Sequence, residues 1–156
     1  QRLAAPEPGL VARALGVAGD RIQSPPVMAS LGLAFTFTEL DSRDTLAALQ
    51  PDVGAFREGA AAYPLGLDFA QYAWVETGGA VHARMFAPLD DIPEDPATGS
   101  AAATLAALLA EARGAFRGTI HQGEDMGRPS AIEVEAVPGR VTVSGEAVKV
   151  MEGRLA

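Results

Sequence analysis

The feature that most constrains the fold is the segment 100–113 (SAAATLAALLAEAR), whose alanine and leucine content predicts a strong α-helix. Leu105, Leu108 and Leu109 share one face, and alanine occupies most other positions, so the helix is apolar nearly all round. Gly114 follows and is placed to end it. A helix of this composition, about 20 Å long, is expected to be buried among other elements.

Strand patterns precede and follow this helix. The segments whose apolar residues predict strands are 33–39, 69–76, 81–86, 118–121, 131–137 and 140–151. Gly78 and Gly79 supply the positive φ angles of a tight hairpin between two of them. Strands around a small-residue helix predict an α+β fold, in which a mixed, largely antiparallel, curled β-sheet wraps around a central buried α-helix. A helix lying on one face of an open sheet fits the same periodicity and stays an alternative.

Shorter elements are predicted near the start of the chain. Residues 8–16 and 42–49 have the spacing of short helices, and Ser42 is placed to cap the second one. In 33–39, apolar residues alternate with alanine and threonine, which predicts a strand with one buried face.

The composition excludes several classes of function. A length of 156 residues fits one domain, and a formal net charge of −8, with no stripe of Lys and Arg, argues against a nucleic-acid partner. No apolar stretch is long enough to span a bilayer, so we expect a cytoplasmic protein without a membrane partner. The absence of cysteine rules out disulfides, thiolate nucleophiles and cysteine-rich zinc sites. We expect no metal.

The residues that suggest chemistry lie immediately before the long helix, in 94–101 (EDPATGSA). A buried helix leaves its first N–H groups without intrahelical partners. Gly99 and Ser100 place no side chain and a small hydroxyl where those groups emerge, so a carboxylate or phosphate can approach the backbone. The pattern therefore predicts an anion site at the start of the helix.

An anion site orients a substrate, but proton transfer also needs a positioned acid or base. Glu94 and Asp95 are the nearby candidates. Because Pro96 favours an extended conformation at Asp95, the two side chains are expected to point in opposite directions, and we favour Asp95 as the one that faces the helix. The alternative is purely structural, since Asp95, Thr98 and Ser100 are all good capping residues.

Other polar and aromatic residues are given structural roles. His82 and His121 are too isolated in the sequence to suggest a metal site, and we interpret both as structural or surface residues. Tyr72 and Trp74 lie two apart in a predicted strand, hence on one face, and we expect them in the core.

Together the motifs resemble a known family. Residues 84–88 (RMFAP), 94–101 (EDPATGSA), Gln122 with Gly123, and 126–130 (MGRPS) have the order and spacing of the C-terminal half of PhzF (phenazine-biosynthesis) proteins. The resemblance covers nearly the whole chain. Asp91 departs from it, because a glycine is expected there, and this puts the loop leading to Asp95 in question.

The resemblance implies a diaminopimelate-epimerase-like fold with two similar domains and a substrate cleft between them. It implies that a glutamate of the first domain moves a proton without a cofactor, and that Asp95, Gly99 and Ser100 match the residues supplied by the second. The lack of cysteine places the chain apart from relatives of the same fold that use a cysteine pair. Because the chain begins at Gln1 without Met, we expect 1–156 to be the C-terminal domain, with the N-terminal domain absent.

We therefore expect half of a cofactor-independent isomerase or epimerase that acts by proton transfer on a small carboxylate. Gly99, Ser100 and Thr98 would bind substrate, Asp95 would be catalytic, and Arg84 would contribute charge or support the loop from behind. The expected partners are this substrate and the N-terminal domain, with a second copy in a homodimer as a further candidate, and the isolated chain is expected to be inactive. The alternative is a non-catalytic small-acid-binding or structural domain with the same fold.

Overall fold

The computed structural model describes residues 1–65 and 68–154 and has an α+β architecture. In these ranges, nine strands form one sheet and four α-helices pack against it. The strands are β1 (Arg2–Ala4), β2 (Val27–Ser30), β3 (Ala34–Glu39), β4 (Gln71–Thr77), β5 (Ala80–Ala87), β6 (Ile92–Asp95), β7 (Phe116–Gln122), β8 (Ser130–Val137) and β9 (Arg140–Gly145). The helices are α1 (Pro8–Leu15), α2 (Arg43–Ala47), α3 (Val53–Ala62) and α4 (Gly99–Arg113), with short 3₁₀ helices at Gly19–Arg21 and Pro88–Asp90.

The sheet is mixed, largely antiparallel and curled into a half-barrel. Its strand order is β1-β2-β3-β4-β5-β7-β8-β9, and β6 pairs with β5 beside this path. The β3–β4 and β5–β7 pairs are parallel, and the others are antiparallel. Helix α4 contacts β2 as well as β7, β8 and β9, so it lies inside the curl. The curled sheet around a central helix is confirmed, and the open-sheet alternative is wrong.

Two hydrophobic cores lie on opposite faces of the sheet. The inner core packs Tyr72 and Trp74 against Leu105 of α4, as expected for these two aromatic residues. The outer core lies under α1, α2 and α3. Because both faces are covered, β3 is buried on both sides, with Thr36 and Thr38 fully inaccessible. The prediction of a half-buried strand was therefore wrong. The alternation within 33–39 cannot show that helices from other parts of the chain cover the second face of this strand.

Local boundaries follow the sequence signals where those signals are strong. Ser42 caps α2, its side chain accepting a hydrogen bond from the Thr45 amide, and Gly78 and Gly79 form the hairpin turn with φ values of 61° and 83°. The last strand ends at Gly145, whereas we predicted 140–151. The predictions also omitted β1, β2, β6 and α3, because the three strands are too short to show a period and α3 contains glycines that lower its helix propensity. Among the described residues, no helix has the length and apolar character to cross a membrane.

Candidate functional site

The site forms where one edge of β5 is shared by two strands. The first half of β5 pairs with β7, so that Ala83 lies opposite Gln122. The second half pairs with β6, so that Met85 lies opposite Asp95. Ala83 and Met85 on β5 thus bring Asp95 and Gln122 together, although these two residues are 27 positions apart in the sequence. Helix α4 begins four residues after Asp95, at Gly99.

The start of α4 is open to solvent. Thr98 is the N-cap residue and makes no side-chain capping hydrogen bond. Gly99 and Ser100 are exposed, and hydrogen bonds within the described residues do not occupy their amides. Behind them, Ala101 and Ala102 are fully buried. The helix is therefore anchored in the core while its first N–H groups face outward, and the capping alternative is not what the structure shows.

Asp95 faces this helix terminus, and Glu94 does not. The Thr98 hydroxyl donates a hydrogen bond to Asp95 Oδ2 at 2.6 Å. Glu94 instead pairs with Arg84 through two hydrogen bonds of 2.8 Å. The opposite directions expected from the Pro96 geometry are confirmed. Asp95 is half-buried, so its carboxylate lies at the boundary between core and solvent.

A buried glutamine joins these parts, and the sequence reasoning gave it no site role. The Gln122 amide nitrogen donates to Asp95 O at 2.7 Å and to Thr98 Oγ1 at 2.9 Å. Its amide oxygen accepts from the Tyr72 hydroxyl at 3.1 Å. Burial, with a smaller contribution from the Asp95 charge, raises the pKa of the Tyr72 hydroxyl far above its usual range, so this group stays a neutral donor. The sequence indicated this role only through the position of Gln122 on the inward-facing side of a strand, where a polar side chain needs hydrogen-bond partners.

A surface cavity adjoins the helix terminus. It has a volume of about 290 Å³ and is lined by Ala97 and Gly99 on one side and by Ser130, Val143 and Glu146 on the other. The Ser130 hydroxyl donates to Pro96 O at 2.7 Å, which ties β8 to the segment that carries Asp95. The helix therefore begins, at Gly99, beside a space of small-molecule size.

Arg84 supports the site from the outer face of the sheet. Its guanidinium lies over the Phe86 ring at 4.9 Å from the centroid. Its Nη1 donates to Leu46 O and Ala47 O, both at 3.1 Å, near the end of α2. With Nε and Nη2 paired to Glu94, these contacts correspond to the supporting role that we considered for Arg84.

Asp91 takes the conformation that the expected glycine would supply. Its φ and ψ are 59° and 25°, in the left-handed region. Aspartate tolerates this region better than most residues because its short polar side chain can bond locally. The departure from the family pattern therefore leaves the turn into β6 in place.

The two histidines form a stacked pair on the neighbouring strands β5 and β7. Their ring centroids are 5.2 Å apart, and His82 Nδ1 lies 2.7 Å from Glu124 Oε2. Both are partly buried on neighbouring strands, consistent with the structural role that we expected. Within the described ranges, no group of three or more potential ligands is arranged to hold a metal ion.

Comparison with known proteins identifies the family. The family model described as phenazine biosynthesis-like protein (PhzC-PhzF) matches residues 8–153. An uncharacterized isomerase from Deinococcus radiodurans is 42% identical over 135 residues, which cover 80% of this chain and 42% of the relative. The trans-2,3-dihydro-3-hydroxyanthranilate isomerase of Pseudomonas aeruginosa is 35% identical over 155 residues, covering 94% of this chain and 52% of the relative.

A solved structure has the same fold. The phenazine biosynthesis protein of the PhzF family from Bacillus anthracis superposes with a TM-score of 0.75 at 16% identity, covering 92% of this chain and 52% of the other. The chain thus spans about half the length of the relatives that it matches. Both curated relatives are named as isomerases. Because the family model covers nearly the whole chain, the chain belongs to the phenazine biosynthesis-like (PhzF-like) family.

Proposed function

We propose that this chain supplies one half of a cofactor-independent isomerase or epimerase site that acts on a small carboxylate by proton transfer. The observation that carries the proposal is the pairing of open Gly99 and Ser100 amides with a fixed carboxylate at Asp95. The amides would hold the substrate carboxylate, and Asp95 would accept or return a proton near the reacting carbon. The substrate-binding role of Gly99 and Ser100 and the catalytic role of Asp95 remain predictions. Thr98 was predicted to bind substrate as well, but its amide and hydroxyl are already hydrogen-bonded to Gln122 and Asp95, so we propose that it serves the site by holding Asp95.

The binding energies available at the helix N-terminus define what this half of the site can do. A helix N-terminus contributes about 0.3–2 kcal/mol to an anion, and each hydrogen bond to a charged group adds about 1.5–3 kcal/mol. Together they support roughly millimolar affinity, which is enough to orient a substrate. Proton transfer would require a second acid or base on the opposite side of the carbon, and we propose that a complementary domain supplies it. The chain by itself is therefore expected to bind without turnover.

Binding can be tested on the chain as it is. Small carboxylates, among them the substrate named for the Pseudomonas aeruginosa relative, are titrated to tens of millimolar while backbone amide NMR signals are followed. We expect saturable shifts at Gly99 and Ser100 for acids and none for the matching methyl esters. Equal shifts from acids and esters, or shifts at neither residue, would refute the anion site.

Turnover is tested by solvent deuterium incorporation into the same acids, with the chain alone and joined to a complementary half. Deuterium should enter the carbon skeleton only in the joined form, and Asp95→Asn should abolish it while leaving binding intact. The alternative, a non-catalytic small-acid-binding domain, uses the same amides and predicts binding without exchange in either form. It is supported by the open amides themselves, which account for binding of an acid without any second acid or base.

A further inference from the structure

We propose that Gln122 is a positioning residue for Asp95 and acts through the Thr98 hydroxyl. The proposal rests on the proposed function, since it gives Asp95 a defined orientation toward the substrate. It starts from the burial of Gln122, whose side chain is fully inaccessible to solvent. A buried amide with unsatisfied groups is costly, so its hydrogen bonds define what it does.

All the hydrogen-bonding capacity of this amide is used. The Gln122 Nε2 has two protons, which go to Asp95 O and Thr98 Oγ1. The Gln122 Oε1 has two lone pairs, which accept from the Tyr72 hydroxyl at 3.1 Å and from the Thr98 amide at 3.3 Å. The amide orientation is fixed by its partners, because a backbone carbonyl can only accept and a backbone amide can only donate. Gln122 therefore cannot flip without breaking two hydrogen bonds.

This orientation sets the direction of the next hydrogen bond. Since Gln122 Nε2 can only donate, Thr98 Oγ1 accepts from it and must direct its own proton elsewhere. The Asp95 Oδ2 atom lies 2.6 Å away and receives that proton. The chain of donors thus runs from Gln122 to Thr98 to Asp95. It holds Oδ2 in place, and within the described residues Oδ1 accepts no hydrogen bond, which leaves that oxygen for the substrate.

The local backbone makes this arrangement difficult to replace. The Gln122 side chain bonds both the backbone and the side chain of Thr98 and also the backbone of Asp95. The turn between β6 and α4 is therefore fixed against β7 at the residue that precedes the open amides. A displaced Gln122 would shift the carboxylate relative to the amides, and misplacement by about 1 Å can cost on the order of 100-fold in rate.

The first test needs no activity and uses the Asp95 side-chain rotamer in the isotopically labelled chain. Coupling constants between the Asp95 α and β protons should report one rotamer in the wild type and in Thr98→Ser, which keeps the hydroxyl. Averaged couplings are expected in Thr98→Val, which removes the hydroxyl, and in Gln122→Met, which removes the amide that donates to this hydroxyl. Thr104→Val is the matched control, because Thr104 is a buried threonine within α4 whose hydroxyl donates to Ser100 O and not to Asp95. Thr98→Val decides the question if Gln122→Met does not fold.

The second test uses deuterium exchange in whichever form of the protein shows it. Thr98→Val should lower kcat by about 10- to 100-fold with KM changed less than about twofold, since the amides that bind the substrate are untouched. Thr98→Ser should recover most of the rate, and Thr104→Val should retain it. A single Asp95 rotamer in Thr98→Val and Gln122→Met, or equal rate losses in Thr98→Val and Thr104→Val, would overturn the positioning role. If the wild type shows no exchange, the proposed function fails, and the rotamer measurement still decides the role of Gln122.

Discussion

Arg84 and Glu94 form a two-point ion pair, with Nε to Oε1 and Nη2 to Oε2 both at 2.8 Å. Their side chains are only 10% and 14% exposed, and the pair holds β6 against β5 on the face opposite the open helix terminus. The neighbouring Asp95 is thereby free to turn toward Thr98. The pair therefore anchors the strand that carries Asp95 from the outer face of the sheet.

Removing one charge of this pair should destabilise the fold. Glu94→Gln leaves the buried Arg84 guanidinium with Asp125 Oδ2, 3.9 Å from Nε, as its remaining carboxylate contact. We therefore expect the free energy of unfolding to fall by about 3 kcal/mol, the low end for a broken buried pair. Glu58→Gln is the control, because the Arg13–Glu58 pair has similar distances of 2.7 and 2.8 Å but is 54% and 59% exposed. We expect that variant to lose much less stability, because solvent screens an exposed pair. Urea unfolding of both variants is the measurement, and equal losses would contradict the role given to burial.

Gly123 allows the close approach between the loop after β7 and the segment that carries Asp95. Its φ is +77°, and a Cβ there would contact Arg128 O and lie 2.9 Å from Pro96 O. Gly127 has a similar φ of +74° but open space around the Cβ position. We expect Gly127→Ala to cost about 1–2 kcal/mol from the left-handed conformation, and Gly123→Ala to cost about 1–3 kcal/mol more from the contact.

The two glycine variants are compared by denaturant unfolding, and backbone NMR shifts locate the change. In Gly123→Ala the shifts should extend to Pro96 and Asp95, because the contact pushes on the Pro96 backbone. In Gly127→Ala they should remain within the loop. Matching stability losses in the two variants would show that the loop does not press on the site.

A buried threonine on β3 offers a stabilising substitution. The Thr36 hydroxyl is fully buried and has no hydrogen-bond partner among the described residues. Thr36→Val replaces this hydroxyl by a methyl group of similar size, and we expect a gain of about 1 kcal/mol because an unsatisfied polar group is removed. Thermal unfolding should show a higher Tm.

Thr45 provides the contrast, since it is also buried but its hydroxyl donates to Asp41 Oδ1 at 2.6 Å. Thr45→Val should therefore lower the free energy of unfolding by about 1–2 kcal/mol. Opposite signs for the two valine substitutions are the expected result. A loss of stability in Thr36→Val would mean that its hydroxyl has a favourable interaction.

Tyr72 should give the fold a stability loss at alkaline pH. Burial raises the pKa of its hydroxyl above the ordinary value of 10.0, so the folded state holds this proton more tightly than the unfolded state. The stabilising contribution is complete below pH 10, and it decreases as the pH rises above the unfolded pKa. The expected slope is about 1.4 kcal/mol per pH unit. Tyr72→Phe should lack this contribution, so the difference between the two unfolding curves from pH 9 to 11 isolates it. A difference in the free energy of unfolding that stays constant over this pH range would contradict the raised pKa of Tyr72.

Much of the architecture could be predicted from local patterns. The α4 helix follows from its alanine and leucine content, and the hairpin turn follows from two adjacent glycines, because both signals act between residues close in sequence. Pro96 likewise set the opposite directions of Glu94 and Asp95 through its effect on the preceding residue. The open start of α4 could likewise be predicted, because a glycine followed by a small hydroxyl residue is a local feature of the sequence.

Tertiary structure decided what joins these parts. The contact of Gln122 with Asp95 and Thr98 depends on β6 and β7 sharing one edge of β5, and no local period encodes which strands become neighbours. Burial of both faces of β3 depends in the same way on helices from other parts of the chain. The sequence by itself determined the helix, its turns and the residues at its open end, since these arise from interactions within a few residues. The strand pairing alone decided that a buried amide reaches the Asp95 carboxylate through Thr98, because pairing register is set by the packing of the whole sheet.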